Sequence, residues 1–313
     1  MGVIEYWNRA PQWLKFACVG SLILLWFVVM VTMHRIASKG LLSDGQSEGT
    51  IWTEVFEGKK LYVLGDSTVA NGNYDMTHRP YGIDLKDGSD PSGRFSNGYT
   101  IADYLAMKLG SPIPQAHNSM TEEQRKKNVG INFASAGCGI LSTTHLLPKC
   151  RTLNDQIGLL TDERPSSADL EDSLFFLSAG SNDFIADPKL NVKDMVAEFK
   201  VKIKSLYKRG ARNFLINNVG PVGCIPNKRD QSTETDEFST KPCFSTPIDK
   251  PCCGKWDAKL KMFMCNKDSV VCEARKKALF FDGAHITERA NKIYVDHCFS
   301  GDICHQITTA AAN

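Results

Sequence analysis

Short apolar runs alternate with helix-like stretches along the chain from about residue 60 onward. Four of the runs are dense in β-branched or large apolar residues and predict buried strands, at residues 61–65, 129–134, 173–178 and 213–219. Residues 100–109 and 192–207 instead carry apolar positions at i, i+3, i+4 and i+7, the spacing of a helix that covers a sheet. The alternation predicts an α/β fold, a three-layer α/β/α sandwich with a mostly parallel sheet.

The N-terminal part of the chain has a different pattern. Residues 16–33 contain no charged side chain, and this run is just long enough to cross the hydrocarbon layer of a membrane. We interpret residues 1–37 as a leader that is either a cleaved signal peptide or a retained signal anchor, and the sequence leaves both open. Residues 38–59 are rich in Gly, Ser and Thr and predict a linker, so the folded domain is expected at residues 60–313.

Composition and charge narrow the class of partner. The chain of 313 residues is 42% hydrophobic and 23% charged, with a formal net charge of +2. These values are ordinary for a globular protein and give no reason to expect disorder or electrostatic capture of nucleic acid. We therefore expect no nucleic-acid partner, and a membrane partner only through residues 16–33 if the leader is retained.

Cysteine usage favours an exported protein. One of the 11 cysteines lies in the apolar run, and the remaining even set suits disulfide bonds formed in an oxidising compartment. The alternative is a zinc site, but the adjacent cysteines and the six-residue gap of its candidate ligands fit the usual zinc spacing badly; these ligands are Cys252, Cys253, Cys265 and Cys272. The prediction is a protein of the secretory pathway, either secreted or membrane-anchored with its domain outside the cytosol.

Chemically useful residues follow three of the predicted strands. Ser67 follows the first strand, Gly137 the second and Asn182 the third. Ligands of open parallel sheets bind at the carboxyl ends of the strands, where these residues would meet. Each residue also has a structural interpretation, since Ser67 could cap a helix, Gly137 could be needed for its backbone angles, and Asn182 could form a turn.

The C-terminal part of the chain offers a base for Ser67, whose hydroxyl is a poor nucleophile without one. An Asp three residues before a His can accept the imidazole Nδ1–H and leave Nε2 free for Ser67, and Asp282 and His285 have this spacing. Negative charge on a substrate carbonyl oxygen needs donors, for which the Ser67 and Gly137 N–H groups and the Asn182 amide are suited. The candidate triad is therefore Ser67, Asp282 and His285.

Six ordered blocks resemble the plant-type GDSL esterase/lipases of the SGNH hydrolase superfamily. The resemblance extends from residue 60 to residue 298 and is carried by LYVLGDSTVANGN (61–73), RFSNGYTIADYLA (94–106), NFASAGCGIL (132–141), SLFFLSAGSNDF (173–184), LYKRGARNFLINNVGPVGCIP (206–226) and FFDGAHITERAN (280–291). It implies a flavodoxin-like sheet with the strand order 2-1-3-4-5. It also implies Ser67 as nucleophile, Gly137 and Asn182 as oxyanion donors, and Asp282 and His285 as the other triad members.

One segment departs from the family pattern. In the family a helix, a fifth parallel strand and another helix separate the PVGC segment from the CCG segment, whereas here a short polar stretch joins residues 221–226 to residues 252–254. The sheet is therefore expected to lack one edge strand. The fourth strand, residues 213–219, would become an uncovered edge, which predicts reduced stability or self-association.

The expected activity is hydrolysis of carboxylic esters through an acyl-enzyme, without a metal or an organic cofactor. Family analogy suggests small-molecule or polymer-borne substrates such as lipid, cutin-like or acetylated carbohydrate esters. Two alternatives stay open. The same triad could transfer the acyl group to an alcohol, or the shortened sheet could belong to a catalytically inactive binding protein.

Overall fold

The computed structural model describes residues 55–73, 77–127, 129–220, 222–229, 250–257, 262–299 and 307–308. The leader at residues 1–37, its apolar run at 16–33 and most of the linker at 38–59 lie outside this set. Within it, no helix is both long and apolar enough to span a bilayer. Phe56, near the end of the predicted linker, is only 1% exposed and packs in the core, so core packing begins a few residues before position 60.

A six-stranded sheet forms the centre of the fold. Together with a separate two-stranded sheet, the described strands are β1 Leu61–Gly65, β2 Gln115–Ala116, β3 Ile131–Asn132, β4 Leu174–Ser178, β5 Asn213–Asn217, β6 Lys255–Asp257, β7 Met262–Met264 and β8 Ile307–Thr308. The large sheet has the order β2-β3-β1-β4-β5-β8, while β6 and β7 form a separate antiparallel pair. β2, β3, β1, β4 and β5 run parallel, and β8 pairs antiparallel with β5. The predicted α/β class and the order of the four predicted strands are confirmed.

The strand register brings the candidate site residues to one edge. β1 and β4 pair over five residues each, with Gly65 opposite Ser178, and β4 pairs with β5 so that Ser178 lies opposite Asn217. The carboxyl ends of these three strands are therefore level. Loops that leave β1 and β4 emerge side by side.

The second predicted strand is shorter than expected. Only Ile131 and Asn132 of residues 129–134 form β3. The Asn73 side chain donates to the carbonyl oxygens of Asn132 and Ala134 at 2.7 and 3.0 Å. A side-chain amide thus takes carbonyls that a longer neighbouring strand would have bonded.

The helices have clear local causes. They are α1 Ile101–Lys108, α2 Glu122–Lys126, α3 Leu153–Asp162, α4 Ser167–Glu171, α5 Ser181–Ala186, α6 Val192–Arg209, α7 Pro226–Arg229 and α8 Glu288–Phe299. A capping box between Thr100 and Asp103 starts α1, and Gly210, with φ of +122°, ends α6. α1 and α6 confirm the helices predicted at residues 100–109 and 192–207.

Apolar layers cover both faces of the sheet, because successive strand residues point to opposite sides. On one face Val63 and Phe176 pack in a cluster that includes residues of α1 and α8. On the other face Leu64, Phe175 and Phe214 pack in a cluster that includes residues of α3 and α6. The three-layer sandwich is confirmed.

The edge beyond β5 differs in part from the expectation. No parallel fifth strand pairs with β5 in the described part of the chain, but β8 pairs with Asn213 and Phe214. The expectation of a fully uncovered edge was therefore wrong at these two residues, because the end of the chain returns to the sheet. Beside the remaining part of β5 lies an apolar cleft, lined by residues that include Leu215, Ile216 and Tyr294.

Disulfide bonds hold a third apolar cluster beside the sheet. The disulfide bonds whose two cysteines both lie in the described part of the chain are Cys138–Cys150, Cys252–Cys272 and Cys253–Cys265. The last two pairs confirm the disulfide prediction over the zinc alternative, since they consume all four candidate ligands. Their cluster also contains Tyr81, Phe95 and Phe281, so it packs directly against the segment that leads to Asp282.

Candidate active site

The turn after β1 presents Ser67. Gly65 ends the strand with no room for a side chain, because a Cβ there would lie 2.0 Å from the Ser178 carbonyl oxygen. The Asp66 N–H donates to that same oxygen at 2.9 Å. The buried Asp66 carboxylate accepts the Thr68 N–H at 3.0 Å and the Thr68 hydroxyl at 2.7 Å. The backbone is thus fixed on both sides of Ser67.

Ser67, His285 and Asp282 form a continuous hydrogen-bonded chain. His285 Nε2 lies 2.7 Å from Ser67 Oγ, although 218 residues separate them. His285 Nδ1 lies 2.8 Å from Asp282 Oδ2 and 2.9 Å from Asp282 Oδ1. The backbone N–H groups of Ala284 and His285 also donate to Asp282 Oδ1, at 2.8 and 2.7 Å. The fold therefore brings together the three residues of the candidate triad, in the order that proton transfer from Ser67 requires.

Burial and mutual charge set the protonation of this pair. Burial raises the pKa of the Asp282 carboxyl, but the charge and hydrogen bond of His285, together with the hydrogen bonds from Tyr81 and the Ala284 N–H, outweigh burial and lower that pKa. Burial lowers the pKa of the His285 imidazole, but the charge and hydrogen bond of Asp282, with the charge of Asp66, hold it above 6.5. Asp282 is therefore the ionised partner that orients the imidazole.

Gly137 lies in the loop after β3, and Asn182 lies beside that loop at the start of α5. Gly137 has φ of +81°, and an added Cβ would lie 2.6 Å from Leu147 Cγ, so this position requires glycine. Asn182, in the first turn of α5, is 7% exposed and donates from Nδ2 to the Cys138 carbonyl oxygen at 2.8 Å. A primary amide has two N–H bonds. This contact joins the loop after β3 to α5 and uses one of the two N–H bonds of the Asn182 amide.

Asp183, the next residue of α5, makes three more hydrogen bonds to the segment that follows Gly137. Its Oδ2 accepts the Ile140 N–H at 2.9 Å, and its Oδ1 accepts the Leu141 N–H at 3.0 Å and the Thr144 hydroxyl at 2.7 Å. Asp183 is buried, with 1% of its surface exposed. Buried carboxylates are stable only when such donors satisfy them. Asp183 therefore anchors the loop after Gly137 onto α5.

Two residues near the site were missed in the sequence analysis. Gln156 of α3 bonds to the backbone of Gly65, and the Tyr81 hydroxyl donates to Asp282 Oδ2 at 2.5 Å. These contacts span 91 and 201 residues of sequence. Neither residue belongs to a spacing pattern that pairs it with its partner, so no local signal could have found them.

The side chains at this edge suit nucleophilic and acid–base chemistry. They comprise a hydroxyl, an imidazole, a buried carboxylate and amide donors. Within the described residues, no group of three or more His, Cys, Asp or Glu side chains is arranged to hold a metal ion.

The chain is similar to known proteins over most of its length. The profile of the GDSL-like lipase/acylhydrolase family matches residues 61–298. A GDSL esterase/lipase of Arabidopsis thaliana is 33% identical over 283 residues, covering 79% of this chain and 86% of that protein. Two others from the same plant are 27% and 26% identical, covering 76% and 95% of this chain and 88% and 96% of their own. The similarity therefore includes every candidate site residue.

Proposed function

The chain belongs to the GDSL-like lipase/acylhydrolase family, and we propose that it hydrolyses carboxylic esters through a covalent acyl-enzyme on Ser67. The observation that carries the proposal is the 2.7 Å contact between Ser67 Oγ and His285 Nε2, with Asp282 bonded to the other imidazole nitrogen. Removing one proton from a hydroxyl and returning it later is the task that this arrangement suits.

In the first half-reaction, Ser67 Oγ attacks the ester carbonyl carbon while His285 Nε2 takes the hydroxyl proton. The carbon–oxygen bond to the alcohol then breaks, and His285 returns the proton to the departing alkoxide. The acyl group stays on Ser67 Oγ. Asp282, whose carboxyl has a lowered pKa, stays ionised and stabilises the imidazolium between the two transfers.

In the second half-reaction, water replaces the alcohol. His285 takes a proton from the water as its oxygen attacks the acyl carbon, and then gives that proton to Ser67 Oγ as the ester bond to Ser67 breaks. The products are a carboxylic acid and the regenerated serine.

Oxyanion stabilisation is assigned to three donors. They are the backbone N–H groups of Ser67 and Gly137 and the N–H of Asn182 Nδ2 that Cys138 does not use. The contacts of Asp183 with the loop at residues 140–144 support this assignment, because they fix the loop that carries Gly137 relative to α5, which carries Asn182. Loss of one such donor typically costs about 3 kcal/mol of transition-state stabilisation.

The proposed substrates are lipid, cutin-like or acetylated carbohydrate esters, either small or borne by a polymer. The relatives are named GDSL esterase/lipases, and this name supports an ester as the substrate class. We also propose that the protein works outside the cytosol, because its described disulfides suit an oxidising compartment. Contact with a membrane would come through residues 16–33 if the leader is retained.

Fluorophosphonate labelling tests the proposal. The chain is produced in an oxidising compartment, and the probe is expected to modify wild-type protein on Ser67 and to leave Ser67→Ala unlabelled. Ser119→Ala removes an exposed hydroxyl that donates to the Ala116 carbonyl oxygen, so this control keeps full labelling. A folded, oxidised wild-type protein that resists the probe would favour a binding protein over an enzyme.

The same preparation separates hydrolysis from acyl transfer. A soluble ester is incubated with and without an excess of a simple alcohol, and the products are quantified. Free acid as the main product in both cases supports hydrolysis. A new ester that dominates whenever alcohol is present would make the protein an acyltransferase with the same triad.

A further inference from the structure

We propose that Tyr81 is a positioning residue of the active site, whose buried hydroxyl holds and partly neutralises the Asp282 carboxylate. The proposal rests on the proposed function, since it takes Asp282 and His285 as the acid–base pair. Tyr81 Oη donates to Asp282 Oδ2 at 2.5 Å. Among the described side chains only Tyr81 and His285 donate to this carboxylate, and its other donors are backbone N–H groups.

The Tyr81 ring is held on two sides. Tyr81 is 2% exposed. Its ring meets those of Phe95 and Phe281 edge to face, with centroids 5.7 and 5.5 Å apart. Phe95 also packs on the His285 imidazole, with centroids 5.0 Å apart. The same aromatic group therefore fixes both Tyr81 and the imidazole that the Asp282 carboxylate must face.

The direction of the Tyr81 hydroxyl is also fixed. The hydroxyl is the donor in its contact with Asp282, because an ionised carboxylate can only accept a hydrogen bond. Cys265 is disulfide-bonded to Cys253, and the Cys253 N–H donates to the Phe281 carbonyl oxygen at 2.6 Å. One disulfide of the cluster that contains Tyr81 is thus bonded to the backbone just before Asp282.

A phenolic donor changes how strongly Asp282 attracts a proton on His285. The hydrogen bond spreads the carboxylate charge, so it weakens the pull of Asp282 on the imidazolium. The charged or titratable groups that face His285 are Asp282 and Asp66, and Tyr81 faces Asp282. Loss of the Tyr81 hydroxyl leaves the Asp66 contribution unchanged, so the pKa of His285 should rise further while the carboxylate becomes freer to rotate.

Tyr81→Phe in the full-length, oxidised chain tests this. NMR titration of the His285 ring is expected to show a pKa above that of wild type. The same variant should lose about tenfold in kcat with KM changed less than about twofold, because Tyr81 orients the base without touching substrate. Tyr104→Phe is the matched control: it removes a tyrosine donor to the Glu288 carboxylate, 2.9 Å away, and should change neither the His285 pKa nor kcat.

Site-specific 3-fluorotyrosine at position 81 gives a second variant that keeps the phenolic hydroxyl. Its more acidic hydroxyl is a stronger donor, so the His285 pKa should move below that of wild type. A His285 pKa that stays unchanged in both variants, or a kcat loss in Tyr81→Phe without a pKa change, would overturn the proposal. Because the titration needs no turnover, a shifted pKa in a protein that hydrolyses no ester would reject the proposed function and keep the role of Tyr81.

Discussion

The side-chain amide of Gln156 bonds to both backbone polar groups of Gly65. Its Oε1 accepts the Gly65 N–H at 2.8 Å and its Nε2 donates to the Gly65 carbonyl oxygen at 2.8 Å. Nε2 also donates to the Arg151 carbonyl oxygen at 2.9 Å. A helix side chain thus fixes the last residue of β1, two positions before the serine.

Gln156→Leu should destabilise the fold and weaken the site. The substitution leaves the buried N–H and carbonyl of Gly65 without their partner, which costs about 2–4 kcal/mol of unfolding free energy. Urea unfolding measures this loss. Gln124→Leu removes the surface capping-box contact with Thr121 and should cost less than about 1 kcal/mol. Equal losses in the two variants would contradict the role of Gln156.

The pH dependence of activity should follow His285. His285 accepts a proton only when neutral, and its pKa lies above 6.5 because Asp282 outweighs burial. We expect kcat/KM for a neutral ester to rise with pH and to reach half its maximum above pH 6.5. A midpoint at or below the ordinary histidine value would show that another group limits the reaction.

The same pair gives a pH dependence of stability. The raised pKa of His285 contributes stability that is fully present below pH 6.5 and is lost as pH rises through the folded-state pKa. The lowered pKa of Asp282 contributes stability that is present above pH 3.8 and is lost as pH falls through its folded-state value. In Asp282→Asn both contributions should disappear from urea unfolding curves measured across this range, and kcat should fall by about 10⁴-fold.

Asp183→Asn should lower kcat with little change in KM. The amide offers one acceptor oxygen where the carboxylate offers two, so part of the loop at residues 140–144 loses its partner. We expect about a tenfold loss in kcat, the size typical of a disturbed supporting contact. Asp187→Asn alters an exposed acceptor of the Lys189 N–H and should be neutral. A KM effect that equals the kcat effect would point to substrate binding instead.

The Cys138–Cys150 disulfide closes the loop that follows Gly137. Replacing both cysteines with alanine should cost about 2–4 kcal/mol of unfolding free energy, since the bond constrains a 12-residue separation. The donor loop would loosen while the Ser67–His285–Asp282 chain stays intact. Fluorophosphonate labelling should therefore slow, while the pH midpoint of labelling stays unchanged. A displaced midpoint would mean that the bond also supports the triad.

The sequence predicted those parts of the site that follow local rules. β1, β4 and α6 were predicted nearly to the residue, because the two strands are continuous apolar runs and the helix carries apolar positions at helical spacing between Asn191 and Gly210. Asp282 and His285 were identified as a pair because the Asp lies three positions before the His. Their approach to Ser67 followed from the rule that strand ends carry ligands, combined with a family resemblance.

The remaining contacts depend on distant segments. β2 and β8 contain two residues each, which is too short for a periodicity signal. β3 was predicted too long because the Asn73 side chain, from a separate loop, occupies its carbonyls. Tyr81 reads in sequence as one more aromatic residue, and only packing against Phe281 brings its hydroxyl to the carboxylate.

The bond between Cys253 and Cys265 has a consequence for where the protein can act. Every copy leaves the ribosome with these thiols reduced, and in that form the apolar cluster around Tyr81 lacks this cross-link. We therefore expect the chain to be less active toward esters in a reducing compartment than in an oxidising one.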